Sequence, residues 1–80
     1  MKIYLLSQNI NRGYDTYDSM VVIAKDEEEA RNIHPCGEWR TLYRIGAWAN
    51  NQSEVQVEYI GEASEDLTAS GIICSSFNAG

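Results

Sequence analysis

Basic residues and proline are scarce in this 80-residue chain, which has six Lys and Arg, twelve Asp and Glu, and one Pro. The formal net charge of -6 repels the phosphate backbone of DNA and RNA, so direct nucleic-acid binding is disfavoured. The same charge is compatible with a protein partner that has a basic surface, although it also serves solubility alone.

Long apolar runs and close cysteine pairs are missing as well. No run approaches the ~20 residues of a membrane-spanning helix, and the first residues lack the pattern of a signal peptide. The two cysteines, Cys36 and Cys74, are far apart in sequence, which favours reduced thiols in a cytoplasmic protein over a disulfide framework. We expect Cys74 to be buried, because it follows two isoleucines and a buried thiol behaves as a small hydrophobe.

The signatures of catalysis and of metal or cofactor binding are weak. His34 and Cys36 flank Pro35, and with Cys74 they give fewer than the about four ligands that a zinc site needs. A catalytic thiol needs an electropositive setting, and this chain is acidic. The glycines form no phosphate-binding motif. The sequence therefore predicts no enzyme active site, no cofactor and no metal site.

Apolar runs predict the strands. Residues 2–7 and 19–24 form two β-branched or continuous apolar stretches, and residues 72–77 form a third. Together with an alternating segment later in the chain, they predict a single α+β domain over residues 1–80. Its expected architecture is a mostly antiparallel sheet of about four strands with one short helix on one face, in the order β-β-α-β-β.

The alternating segment begins at Glu54. Its spacing predicts that Val55, Val57 and Tyr59 share a buried face and that Glu54 and Glu58 point to solvent. This acidic outer face is one candidate for contact with a partner, and it also protects a sheet edge against aggregation.

The helix is predicted over residues 27–34. Asp26 is placed to cap its first turn, Glu29 follows at the capping-box position, and Pro35 ends it. The next segment, residues 36–52, fits neither a helix nor a strand well, so we expect it to be irregular.

The polar loop between the first two strands is the main candidate for partner binding. Tyr14 and Tyr17 can supply rigid contact area, and Asp15 and Asp18 can accept hydrogen bonds beside them. Gly13 is expected to have a positive φ. The alternative is a hairpin loop whose tyrosines lie over the core.

A second candidate site would bind a small molecule or nucleotide. Arg12, Arg40 and Arg44 could contact a phosphate, and Trp39 and Trp48 could stack on a base. The alternative is that the arginine stems and the indoles cover the edge of the apolar core.

Five stretches together carry a resemblance: MKIYLLSQN at 1–9, GYDTYDS at 13–19, EEARNIHP at 28–35, GEA at 61–63 and FNAG at 77–80. They resemble a group of short proteins of unassigned activity from phages, prophages and bacteria, so the resemblance implies no catalytic residue. The size, acidity and strand-helix-strand plan are also similar to small phage anti-defence proteins, including anti-CRISPR proteins.

The leading hypothesis is a non-enzymatic phage-type inhibitor that binds a bacterial defence protein or complex in the host cytoplasm. Two alternatives remain open. One is a small-molecule or nucleotide-binding oligomer, and the other is a structural accessory module of a phage or bacterial assembly. A homodimer is compatible with each of them.

Overall fold

The described part of the chain folds into a four-stranded antiparallel sheet with one short α-helix. The computed structural model describes residues 1–37, 39 and 47–78 of the chain. Its elements are β1 (Lys2–Ser7), β2 (Thr16–Ala24), α1 (Glu27–Arg31), a 3₁₀ turn (Gln52–Glu54), β3 (Gln56–Glu62) and β4 (Gly71–Asn78). The α+β class and the antiparallel strands are confirmed, and the 3₁₀ turn is an additional element.

The strand order is β3-β1-β2-β4, so the two N-terminal strands are central and the two C-terminal strands form the edges. The β1–β2 loop, residues 8–15, joins the central pair. The β3–β4 connection, residues 63–70, joins the two edges. This connection begins beside Met1, because the N–H of Ala63, its first residue, donates to the Met1 carbonyl at 3.0 Å.

The core lies on one face of this sheet, because the central strands alternate in phase. Tyr4 is opposite Val22 and Leu6 is opposite Met20, which places all four side chains on the same face. α1 packs against β1, β2 and β3. The buried cluster consists of Tyr4, Leu6, Met20, Val22, Ala24, Ala30, Trp48, Ala49 and Val55.

The helix begins where the sequence predicts and ends earlier. Asp26 Oδ1 accepts from the Glu29 N–H at 2.8 Å, which caps the first turn, and Glu29 Oε1 accepts from the N–H of Lys25, the residue before the cap, at 3.0 Å. The helix ends at Arg31 and not at residue 34, because Asn32 already makes a tighter, 3₁₀-type bond to the Glu29 carbonyl.

β2 begins at Thr16 and not at residue 19, because β4 pairs with it further than the apolar run extends. Tyr17 is opposite Phe77, and the register shifts between Tyr17 and Ser19. The polar Asp18 lies in this shift, where a β-bulge places one extra residue on the strand.

The predicted burial of Tyr59 and Cys74 is wrong. Val55 is buried and Val57 is half-buried, but Tyr59 is 54% exposed because β3 is an edge strand. Cys74 is exposed on the opposite edge strand, β4. The prediction that Glu54 belongs to the strand is also wrong, since Glu54 ends the 3₁₀ turn.

Candidate partner-binding surface

The β1–β2 loop is organised by one buried amide. Gln8 is only 5% exposed. Its Nε2 donates to the carbonyls of Asn11 at 2.6 Å and Tyr17 at 2.8 Å, and its Oε1 accepts from the N–H groups of Ile10 at 2.8 Å and Asn11 at 2.9 Å. Since both ends of the amide are satisfied, Gln8 fixes the path of the chain without leaving a buried polar atom unpaired.

Further hydrogen bonds attach this loop to its surroundings. Asn11 Nδ2 donates to the Trp48 carbonyl at 2.6 Å, which joins the loop to the segment that covers the core. The Asp15 N–H donates to the carbonyl of Asn78, on β4, at 2.6 Å. The loop is therefore held from three directions: by its own glutamine, by the segment at Trp48 and by an edge strand.

The left-handed residue of the loop is Asp15 and not Gly13. Asp15 has φ 58°, whereas Gly13 is not among the positive-φ residues, so the prediction for Gly13 is wrong. Asp tolerates this conformation better than most residues. A Cβ added at Gly13 would meet no atom within 4 Å, so the glycine is not required by space either.

This ordered loop presents an aromatic side chain to solvent. Tyr14 is 78% exposed, more than any other large apolar or aromatic side chain in the described residues. Ile10, Arg12 and Asp15 are also exposed around it. The result is a tyrosine on a fixed backbone, flanked by one apolar side chain and one charge of each sign.

The structure separates Tyr17 and Asp18 from Tyr14. The Tyr17 ring lies 4.8 Å from the Phe77 ring and packs against the core. Asp18 Oδ1 accepts from Asn78 Nδ2 at 2.8 Å, which ties β2 to β4. Of the four loop residues that the sequence singled out, Tyr14 and Asp15 are displayed to solvent, and Tyr17 and Asp18 join strands.

The two candidate glutamates are also separated. Glu54 Oε1 accepts from the N–H groups of Asn50 at 2.8 Å and Asn51 at 3.3 Å, so this carboxylate caps the 3₁₀ turn. Glu58 is exposed on β3, directly opposite Leu5 of β1. Of these two glutamates, only Glu58 therefore lies on the strand with an exposed side chain.

Glu58 borders a shallow hollow that begins beside the loop. Ser7, the residue before the loop, is paired with Gln56, the first residue of β3. The hollow has a volume of about 240 Å³ and is lined by Leu5, Ser7, Gln56, Val57 and Glu58. A second hollow, of about 290 Å³, lies at the first turn of α1 and is lined by Lys25, Asp26, Glu28, Glu29 and Asn32. The carboxylates on both make them poor sites for phosphate.

The two tryptophans of the alternative ligand site face the protein interior to different extents. Trp48 is 1% exposed and belongs to the core. Trp39 is half-buried, and its Nε1 donates to the Asn32 carbonyl at 3.0 Å. Arg12 is exposed on the β1–β2 loop, and Arg40 and Arg44 lie outside the described residues.

His34 packs beside Trp39 as a neutral acceptor. Their ring centroids are 4.9 Å apart in an edge-to-face arrangement, and His34 Nδ1 accepts from the Cys36 N–H at 3.0 Å. Burial lowers the pKa of His34, because it penalises the charged imidazolium. In residues 1–37, 39 and 47–78, no group of three His, Cys, Asp or Glu side chains is arranged to hold a metal ion.

On the outer strand β3, the Tyr59 hydroxyl donates to Glu62 Oε2 at 2.7 Å. This hydrogen bond to a carboxylate raises the pKa of Tyr59, so the phenol stays protonated. The arrangement stiffens an exposed side chain without creating a reactive group.

Gln8 is the residue that the sequence analysis missed. A signal was present, since Gln8 continues the alternation of the buried Tyr4 and Leu6. A polar residue at a core-facing position must find hydrogen-bond partners, and the adjacent loop is the nearest source of them.

Within the described part of the chain, no helix combines the length and apolar character needed to cross a bilayer. Comparisons with known proteins give no match to a protein-family model, a curated protein or a solved structure.

Proposed function

We propose that this chain is a non-enzymatic inhibitor of the phage anti-defence type, which binds a bacterial defence protein or complex in the host cytoplasm. The observation that carries the proposal is the display of Tyr14, 78% exposed, on a loop whose backbone is fixed by the buried Gln8. Tyrosine is enriched among the residues that dominate binding energy. A fixed loop loses little conformational entropy when it binds, so more of the contact energy appears as affinity.

Charge supports the choice of a protein partner with a basic surface. The net charge is -6, and Asp15 and Glu58 are exposed on and near the loop. A basic groove that normally binds nucleic acid would attract this acidic surface, and it would repel few of the side chains on it. The similarity in size, acidity and strand-helix-strand plan to small phage anti-defence proteins favours a bacterial defence component as the protein that contains this groove.

The first experiment identifies the partner and tests the tyrosine. Tagged protein is used to capture partners from a bacterial lysate, and mass spectrometry identifies them. Affinity for the purified partner is then measured for Tyr14→Ala and for Tyr59→Ala, a matched control in which the lost tyrosine is 54% exposed on β3. We expect Tyr14→Ala to weaken binding by about 2 kcal/mol or more, and Tyr59→Ala to leave it nearly unchanged.

Equal loss from both substitutions, or no loss from either, would remove the loop from the proposal. Thermal melting of each variant serves as the folding control. If no bacterial protein is captured at all, the inhibitor function itself fails.

The second experiment tests the charge. Glu58→Lys reverses an exposed carboxylate on β3, and Glu65→Lys reverses one on the β3–β4 connection. Reversal of a charge at the rim of an interface mainly slows association. We expect Glu58→Lys to lower the association rate and to reduce its dependence on salt, and we expect Glu65→Lys to have the smaller effect. The reverse order would place the contact at the other end of the sheet.

A further inference from the structure

The edge strand β4 is uncovered along almost its whole length. Every residue from 72 to 77 is exposed, including the apolar Ile72, Ile73 and Phe77. Among the strands of residues 1–37, 39 and 47–78, β4 pairs only with β2, so none of these strands lies beside its outer edge. Such an edge offers backbone N–H and C=O groups to another strand.

The two edges of the sheet differ in charge. Residues 67–80, which contain all of β4, include no charged side chain, although the chain as a whole has a net charge of -6. β3 carries Glu58 and Glu62, and charged edge residues are a common protection against strand pairing. β3 is therefore protected, and β4 is not.

We propose that β4 is a self-association edge, which pairs antiparallel with β4 of a second copy about a two-fold axis. Two copies of an acidic chain repel each other wherever their carboxylates meet, and β4 is the edge at which no carboxylate faces its own counterpart. Antiparallel pairing of identical strands is also the isologous arrangement that closes a dimer. The sheet then continues from one copy into the other.

The symmetry fixes the register. A two-fold axis perpendicular to an antiparallel pair places one residue opposite its own copy. Full overlap of the eight residues Gly71–Asn78 would place Cys74 opposite Ser75, so the largest overlap that the symmetry allows has either Cys74 or Ser75 at that centre. The register of β4 against β2 shifts between Val21 and Val22, beside Ile73, so the regular stretch is residues 74–76. The Ser75 centre uses this regular stretch, with Cys74 opposite Ser76 of the second copy.

The first test measures self-association of two matched variants by sedimentation over a range of protein concentrations. The two variants are matched because both isoleucines are exposed and lie at a register shift. Ile73 is 51% exposed and has no paired residue on β2, and Ile60 is 53% exposed and has no paired residue on β1. A single strand edge is a small interface, so we expect a reversible dimer of the unaltered chain. Ile73→Lys should weaken dimerisation by about tenfold or more, and Ile60→Lys should leave it unchanged.

A monomer at every concentration, or equal weakening by both lysines, overturns the proposal. In the first case β4 would be open to a strand from another protein, and in the second the copies would associate elsewhere.

The second test reads the register and needs no destabilising variant. Three chains with one cysteine each are oxidised with copper phenanthroline. The first keeps Cys74 and carries Cys36→Ser; the others add Cys74→Ser with either Ser75→Cys or Ser76→Cys. Residues directly opposite each other have Cα atoms about 4.5–5.5 Å apart, within disulfide range, whereas diagonal neighbours are about 7–8 Å apart. A covalent dimer should form fastest from the cysteine at 75. Equal rates at 74, 75 and 76, or no covalent dimer, contradict ordered pairing of β4.

Discussion

Two connections of equal length join the strands of this sheet, and they are built in opposite ways. In the β1–β2 loop, residues 8–15, the Gln8 side chain bonds to backbone groups at both ends of the amide. In the β3–β4 connection, residues 63–70, all residues after Ala63 are exposed. Its described hydrogen bonds are the Ala63 contact with Met1, a turn from the Leu67 N–H to the Ser64 carbonyl at 2.9 Å, and a long bond from the Asp66 N–H to Ser64 Oγ at 3.4 Å.

The difference teaches that length alone does not decide whether a connection is ordered. A buried polar side chain within the loop satisfies backbone groups that would otherwise need water, and it does so in one arrangement only. The first connection therefore suits specific recognition, and the second suits the simple task of crossing the end of the sheet.

Removal of the organising amide should have the largest effect. Gln8→Ala leaves the N–H groups of Ile10 and Asn11 and the carbonyl of Tyr17 without the partner they have now. We expect the free energy of unfolding to fall by about 3 kcal/mol, measured by urea denaturation. Gln52→Ala, whose amide makes one exposed bond to Asn32, is the control and should cost less than about 1 kcal/mol. A small effect of Gln8→Ala would mean that the two connections are equally loose.

The two tyrosines of this region should separate stability from binding. Tyr17→Ala removes a ring that packs on Phe77 and on the core, so we expect a loss of about 2 kcal/mol in unfolding free energy. Tyr14→Ala removes an exposed ring and should change stability by less than about 0.5 kcal/mol. Thermal melting of both variants checks this order. Equal destabilisation would mean that Tyr14 contributes to the core, and it would argue against the proposed contact with a partner.

Acid should loosen a third region and leave both connections in place, because neither connection contains a histidine. His34 has a lowered pKa, so between its folded and unfolded values the unfolded chain binds more protons. The contribution of the neutral His34 to the free energy of unfolding is therefore fully present above about pH 6.5, and it is lost as the pH falls below that value. Melting temperature should drop from about pH 7.5 to about pH 5.5, and the drop should be smaller in His34→Gln.

Amide exchange locates this acid effect within the protein. The Cys36 N–H, which donates to His34 Nδ1, should lose protection first, and the Asn11 N–H should keep it. Simultaneous loss at both amides would show that the loop and the His34 region open together.

A two-residue insertion should lower the free energy of unfolding least in the β3–β4 connection, which makes fewer described hydrogen bonds than the β1–β2 loop. Gly-Ser inserted between Asp66 and Leu67 lengthens an exposed turn and should cost less than about 0.6 kcal/mol of stability. The same insertion between Ile10 and Asn11 separates two residues that both donate to Gln8, and it should cost clearly more. Equal costs in urea denaturation would erase the contrast between the connections.

The parts of the fold that local sequence determines could be predicted. The apolar runs identify the central strands, and Asp26 with Glu29 identifies the start of α1, because capping depends on residues three positions apart. Tyr59 and Cys74 could not be placed in the same way. Alternation and apolar content indicate a strand, but they do not tell whether that strand is central or at an edge, and edge position is what exposes both residues.

For the candidate surface, the polar loop sequence indicates that Tyr14 and Asp15 are exposed, as they are, but it does not indicate which contacts hold the loop. The exposure of Tyr14 follows from a polar, turn-rich loop. The hydrogen bond from Asn11 to the Trp48 carbonyl joins residues that are far apart in sequence, so no local sequence pattern predicts it. The same holds for Glu54, which a strand pattern places in β3 and which the structure uses to cap a turn.

The position of Trp48 gives the protein a built-in optical probe. Its indole is 1% exposed, and its carbonyl accepts the Asn11 bond that holds the β1–β2 loop. Replacement of the half-buried Trp39 by Phe would leave Trp48 as the only fluorophore of its kind in the chain. Its emission would then lie at short wavelength while the loop is docked and would shift to longer wavelength when water reaches the indole, so loop opening could be followed without any attached label.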